Sequence, residues 1–369
     1  MISNFLILFF TIFVAIIQYC NADVIRYKKI KDVIIYKEKG LYSCFPNLFL
    51  DDSLLVVGVS TRITNSHYDK KGGGKRFISN DGGLSWIETK KLNIYPGYKN
   101  KNGIYIITVP KNWQEIKYNE VEKIESSNIV IKKSNNKLWK ATGIFQKILD
   151  SNGNLINSYS LSIPDHALLM GTNLSSYLSR SDGLRIIALF GKINSFQKEN
   201  QIFLLHSIDE GFSWQFIKPY DYNLSFNEIG LGETALVEMG IDSILGVSRG
   251  SDGFLYSFLS FNKGLNWTLP KKLPINGYPA NLLNIGNNQI LCTYGYRKNP
   301  IGIRALILNK NTLNITSEEF IIRDDGYGNP FDSGYPMTIQ LKDNSFFSCY
   351  YITKSDNITH VAGTKWLLE

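Results

Sequence analysis

One octapeptide recurs along the chain and constrains its fold more than any other feature. It reads Ser79-Asn80-Asp81-Gly82-Gly83-Leu84-Ser85-Trp86 and returns as Ser207-Ile208-Asp209-Glu210-Gly211-Phe212-Ser213-Trp214. A third copy, Ser260-Phe261-Asn262-Lys263-Gly264-Leu265-Asn266-Trp267, carries Asn in place of Asp. The pattern S-x-D-x-G-x-x-W suits a tight turn. Ser and Asp side chains satisfy backbone amides, Gly takes the positive-φ position, and Trp folds back over the hairpin. Such a turn, repeated along one chain, implies a repeated supersecondary unit.

A looser repeat accompanies it: an apolar strand, often opened by Pro, a polar turn, then a second strand ending in Arg or Tyr. Four stretches follow this plan: 42–62 (YSCFPNLFLDDSLLVVGVSTR), 232–249 (GETALVEMGIDSILGVSR), 278–297 (YPANLLNIGNNQILCTYGYR) and 335–351 (YPMTIQLKDNSFFSCYY). Units of about 50 to 57 residues with about four strands each predict a six-bladed β-propeller, an all-β fold. Between 87 and 170 the strands IYIITV, NIVIKK and LINSYSLSI lie in a Lys/Asn-rich stretch that is read as about two blades. No linker divides the chain, so residues 23–369 are expected to form one propeller domain. Composition agrees: 21 Tyr, 21 Phe and 30 Gly in 369 residues favour strands and turns.

The first 22 residues, MISNFLILFFTIFVAIIQYCNA, form an uncharged apolar run ending in small residues and read as a secretory signal peptide. Cys44, Cys292 and Cys349 follow it, an odd count that allows at most one internal disulfide. Sequons stand at Asn173, Asn223, Asn266, Asn314 and Asn357, which fits a glycosylated, secreted or endomembrane-lumenal protein. The net charge of +8 is modest and spread along the chain. It favours anionic ligands without implying nucleic acid. No Cys/His cluster has metal-ligand spacing, so neither metal nor cofactor is expected. The tract KKGGGKR (70–76) lacks the ending of a phosphate loop and reads as a flexible basic loop.

The octapeptides resemble the Asp-boxes of the sialidase superfamily, whose members are six-bladed propellers. Asp-boxes are structural and lie away from the ligand, so they imply a fold and not a reaction. Sialidases bind a sugar carboxylate with three Arg, whose guanidinium forks match it bidentately. A Tyr activated by Glu is the nucleophile, and an Asp on a mobile loop is the acid and base.

The resemblance implies the following positions. Glu233 opens a strand as the family's Glu does, and Arg249 and Arg297 end strands where two triad Arg would lie, with Arg304 competing for the latter place. Tyr351 in FFSCYY would be the nucleophile, Tyr350 its outward neighbour. Arg62 would add a ligand contact, and Asp69 or His67 in the following loop would carry the proton. A D-x-GYP motif contributes Asp332 and Tyr335. One departure stands out: the tripeptide that supplies the first triad Arg is here Cys44-Phe45-Pro46. Losing one bidentate pair costs about 2 kcal/mol or more.

These features imply a secreted, retaining glycoside hydrolase acting on a terminal, anionic sugar of a glycan, working as a monomer. The rivals are a non-catalytic, lectin-like propeller and a glycosidase or lyase for a different acidic sugar.

Overall fold

Strands rich in Ile, Leu, Val, Phe and Tyr, punctuated by Gly and Pro, leave little sequence for helices, and the described residues contain no α-helix. The structure is a computed structural model. It describes residues 25–369 except 52, 64–65, 67–71, 91–97, 100–104, 110–112, 118–130, 135–136, 142–143, 151–153, 162–167, 172–175, 193–198, 221–228 and 329–331. Among the described residues no helix is long and apolar enough to cross a membrane.

After β1 (Tyr27–Tyr36), the first blade comprises β2 (Tyr42–Asp51), β3 (Leu54–Arg62), β4 (Gly72–Ser79) and β5 (Ile87–Glu88). Seven short strands follow: β6 (Tyr98–Lys99), β7 (Tyr105–Val109), β8 (Trp113–Ile116), β9 (Ile131–Ser134), β10 (Lys137–Ala141), β11 (Ile144–Leu149) and β12 (Leu155–Leu161). They make two sheets, ordered β12-β11-β7-β6 and β8-β10-β9. A five-stranded sheet holds β13 (Leu168–Gly171), β14 (Tyr177–Ser179), β15 (Arg185–Lys192), β16 (Gln201–Ser207) and β17 (Gln215–Ile217). The next blade is β18 (Leu231–Glu238), β19 (Ile244–Gly250), β20 (Phe254–Ser260) and β21 (Lys271–Asn276). Its neighbour is β22 (Tyr278–Gly286), β23 (Gln289–Tyr296), β24 (Ile301–Asn309) and β25 (Phe320–Gly326). Finally β26 (Gly334–Gln340), β27 (Phe346–Thr353) and β28 (Thr359–Leu368) take β1 as their fourth strand.

The sheets form a β-propeller, and among the described residues five blades are delineated against the six expected. Four apolar clusters fill the junctions of five consecutive blades. Ile186 and Leu204 meet Tyr256 and Phe258, and Val247 and Leu245 meet Leu282 and Cys292. Leu291 and Ile307 meet Tyr350 and Trp366, and Phe347 and Cys349 meet Leu48 and Val57.

The three octapeptides fold alike. Ser79 Oγ accepts from the Gly83 amide at 2.9 Å, and Asp81 Oδ1 accepts from the Leu84 and Ser85 amides, each at 3.0 Å. Ser207 and Asp209 repeat this with Gly211 and Ser213, as Ser260 and Asn262 do with Gly264 and Asn266. Gly83, Gly211 and Gly264 sit at φ of +91°, +89° and +88°, a region other residues enter at a cost. A Cβ on Gly83 would stand 2.3 Å from the Phe347 ring, and one on Gly264 2.3 Å from Ile186 Cδ1. Each of these two turns therefore presses its backbone onto an adjacent blade.

The KKGGGKR tract departs from the expected loop. Residues 72–76 lie in β4 and pair with β3, Arg62 opposite Gly72 and Thr61 opposite Gly73. A Cβ on Gly72 would meet the Thr61 carbonyl oxygen at 1.9 Å, which is why glycine stands there. Cys44, Cys292 and Cys349 are buried free thiols.

Candidate functional site

The inner strands of four blades share one backbone device. Their ladders slip at a bulge near the start: between Cys44 and Asn47 in β2, Leu231 and Thr234 in β18, Tyr278 and Ala280 in β22, and Gly334 and Met337 in β26. Bulges break the two-residue alternation and re-aim side chains. Phe45-Pro46, Tyr278-Pro279 and Tyr335-Pro336 lie in three of them, where Pro leaves no ladder amide unpaired. Phe45 and Tyr335 adopt φ of +48° and +50°, backbone strain for aromatic residues.

These bulges bring Phe45, Glu233 and Tyr335 to one place. Tyr335 Oη donates to Glu233 Oε1 at 2.6 Å, and Arg249 Nε lies 2.8 Å from Glu233 Oε2. Glu233 is nearly buried, its side chain 9% exposed against 29% for Arg249. Arg297 donates to the Ser333 carbonyl at 3.1 and 3.3 Å and lies over the Tyr278 ring. Burial and the Glu233 carboxylate hold the Tyr335 phenol well above its usual range, opposed by the charges of Arg249 and Arg297.

Tyr351 joins the cluster through a different partner from the one expected. Its ring stacks on Tyr335 at 5.7 Å, but its hydroxyl donates to Asp332 Oδ1 at 2.7 Å. Glu233 pairs with Tyr335, not with Tyr351. Tyr42 Oη donates to the other Asp332 oxygen, so one carboxylate holds two phenols. Burial raises Tyr351 well above the ordinary phenol range, reinforced by Asp332, Tyr335 and Tyr42. Tyr350 points the other way, its hydroxyl 2.6 Å from Thr364 Oγ1.

The first-blade tripeptide presents no cation. Cys44 is fully buried, and burial pushes its thiol up to about 12, with Arg62 opposing and Asp332 adding. Phe45 packs edge-on against Tyr335 at 5.0 Å and Tyr351 at 5.5 Å. Arg62 donates from Nη1 to the Thr61 carbonyl at 2.9 Å, while its buried Nε has no partner among the described residues. An aromatic wall stands where the resemblance placed an Arg.

Arg304 is not brought to this cluster. It is buried, donates to the carbonyls of Ile303, Pro300 and Arg323, lies 3.6 Å from Glu319 Oε2 and stacks over Tyr296. Those bonds consume its guanidinium inside its own blade. Asp69 and His67 lie outside the described residues, as do Asn173 and Asn223. Asn266, Asn314 and Asn357 are exposed. The sequence reading missed the pairing of Tyr335 with Glu233. The Gly-Tyr-Pro signal was present, but strand alternation cannot place a residue inside a bulge.

No family model matches the chain, and no curated protein matches its sequence. Solved structures do. A protein of unknown function from Dyadobacter fermentans matches with a TM-score of 0.76 at 19% identity, over 94% of this chain and 100% of that one. The NanB sialidase from Streptococcus pneumoniae matches with a TM-score of 0.59 at 13% identity, over 91% of this chain and 70% of its own. The intramolecular trans-sialidase from Ruminococcus gnavus gives 0.59 at 13% identity, over 91% and 96%. At such identities the likeness is one of architecture. The chain folds as a sialidase-like β-propeller.

Proposed function

We infer that the chain is a secreted glycoside hydrolase of sialidase type, acting on a terminal anionic sugar, with Tyr335 and Glu233 as the reacting pair. The observation that carries this is the 2.6 Å hydrogen bond from Tyr335 to a carboxylate whose second oxygen faces Arg249. The phenol is neutral before reaction, so it can approach an anionic sugar without repulsion. As Tyr335 Oη attacks the anomeric carbon, its proton passes to Glu233 and the bond to the leaving oxygen breaks. Arg249 and Arg297 lower the cost of the developing phenolate and face the sugar's acidic group. Asp69 or His67 is assigned the proton to the leaving oxygen. Water then cleaves the glycosyl-tyrosine with the proton transfers reversed. The leader at 1–22 and the exposed sequons support secretion.

Purified protein would be assayed on fluorogenic sialosides and a uronide panel. Tyr335→Phe is expected to lower kcat by about 10³-fold or more, since the nucleophile is gone. Tyr351→Phe, which loses only the bond to Asp332, should cost far less. Full activity in Tyr335→Phe refutes the assignment. A non-catalytic, glycan-binding role is favoured by Cys44 and Phe45 at the first-blade position. Saturable binding without turnover in the same assay would select it.

A further inference from the structure

Tyr335 meets Glu233 from a turn whose backbone is under strain. Gly334 stands at φ +107° and Tyr335 at +50°, and the β26–β27 pairing slips between Gly334 and Met337. A Cβ on Gly334 would come within 3.0 Å of Gly295 Cα, so the turn lies flush against the neighbouring blade. A strained turn keeps its shape only where its surroundings pin it. Arg297 pins one end through the Ser333 carbonyl, and the Tyr335 hydroxyl pins the other through Glu233.

Asp332 supplies a further tie. One carboxylate oxygen accepts from Tyr351 Oη on β27 and the other from Tyr42 Oη on β2, so the carboxylate bridges two blades. Hydrogen bonds to a carboxylate are roughly twice as strong as neutral ones. Burial and Asp332 hold both phenols well above their usual range, so both remain donors. The Tyr351 ring is thereby fixed where it stacks on Tyr335, and Phe45 packs edge-on against both rings. Asp332 acts on Tyr335 twice: along the chain, three residues before it, and through the ring stacked on it.

We infer that Asp332 is a positioning residue: its carboxylate, shared by Tyr42 and Tyr351, fixes the turn and the stacked ring that keep Tyr335 on Glu233. Its effect on turnover rests on the hydrolase reading, but the placement of Tyr335 can be read without turnover. Asp332→Asn keeps the side chain's size, removes the charge and leaves one acceptor oxygen for two phenols. On a fluorogenic sialoside kcat should fall about tenfold or more, because a small displacement of the nucleophile is costly. KM should stay within about twofold, since Arg249 and Arg297 still face the sugar. Asp332→Glu, which restores the charge and both acceptors, should recover part of kcat.

The second readout is NMR of protein carrying tyrosine isotopically labelled at Cζ, assigned with single Tyr→Phe variants. Asp332→Asn is expected to shift the Tyr351 and Tyr335 signals and to leave Tyr350, whose hydroxyl meets Thr364, in place. Tyr42→Phe, which removes one of the two bonds, should shift the same two signals by less and serves if Asp332→Asn does not fold. A merely stabilising role moves none of these signals in the folded protein. A Tyr335 signal unchanged in the folded variants overturns the proposal. So does a rise in KM with kcat retained, which would make Asp332 a direct sugar contact. A shifted Tyr335 signal, with no turnover by the unaltered chain, would sustain the positioning role and refute only the hydrolase reading.

Discussion

Tyr335 reaches Glu233 because Gly334 and the β26 bulge turn its backbone to positive φ, and Phe45 reaches the same point by the same device in β2. Under the proposed function, Arg297 is the residue whose removal reads a preference for acidic sugars most directly. Arg297→Met should weaken binding of an acidic sugar by about 2 kcal/mol, roughly 30-fold, in a calorimetric titration with Tyr335→Phe protein. Unchanged affinity would remove Arg297 from the ligand. Arg249 and Arg297 could be grouped from the sequence because both end strands at the same place in the repeat, whereas Glu233 entered through the resemblance. The pairing of Tyr335 with Glu233 was not legible, because φ inside a bulge leaves no periodic trace. Alternation did separate Tyr351, facing the cluster, from Tyr350, facing Thr364. The same residues predict an alkaline limit. Burial raises Tyr335 and Tyr351 above the ordinary phenol value of about 10, and Cys44 and Cys292 from about 9 to about 12. The folded state then holds protons that the unfolded chain releases. This stability is fully present below about pH 9 and is lost as pH rises toward the folded values. Tyrosinate absorbance should lag free tyrosine and then rise together with loss of β-structure by circular dichroism. Ionisation of most tyrosines before unfolding would contradict it.

The octapeptide turns act as small independent elements, and their differences give a comparison within one molecule. Burial alone would raise the Asp81 carboxyl, but hydrogen bonds from Ser85, Ser79 and the Ser85 and Leu84 amides outweigh it and hold it well below the usual range. Asp209 is lowered in the same way by Ser213 and Ser207, also against burial. Their contribution is present above about pH 4 and lost as pH falls through the folded values. Asn262 makes the equivalent bond to the Asn266 amide and does not titrate. Hydrogen exchange between pH 5 and 2, corrected for intrinsic rates, should show protection falling at the Ser85 and Ser213 amides and persisting at Asn266. A parallel fall at all three would refute this. Gly83→Ala places a Cβ against the Phe347 ring at φ +91° and should cost about 2 kcal/mol in urea unfolding, because the aromatic ring cannot swing away as a chain end would. These turns were legible because their chemistry is local. The blade count was not, because the turn motif that marks a blade is missing from part of the chain. Residues 98–161 carry strands but no octapeptide to mark their turns.

The arc of blades is tied together by a contact between residues far apart in sequence. β1 runs antiparallel to β28, with Val33 opposite Gly363 and Ile34 opposite Ala362, and Arg26 and Glu369 exchange both backbone hydrogen bonds. Asp32 adds side-chain ties, accepting from Thr364 Oγ1 at 2.6 Å and facing Arg323 Nη1 at 3.2 Å on β25 of the neighbouring blade. Tyr27 stacks near Trp366 and Phe320, so β1 also covers the apolar junction behind the Tyr351 strand. Without β1, β28 would become an open edge, and Trp366 and Phe320 would lose their cover. A chain starting at Lys37 is therefore expected to lose several kcal/mol, a fall in Tm on the order of 10 °C or more. The loss should propagate to the site, because β28 holds β27, and β27 holds Tyr351 against Tyr335. Thermal unfolding by circular dichroism and ligand titration of the shortened chain test both parts. A Tm within a few degrees of the full chain, with binding retained, would mean that the blades stand without this closure.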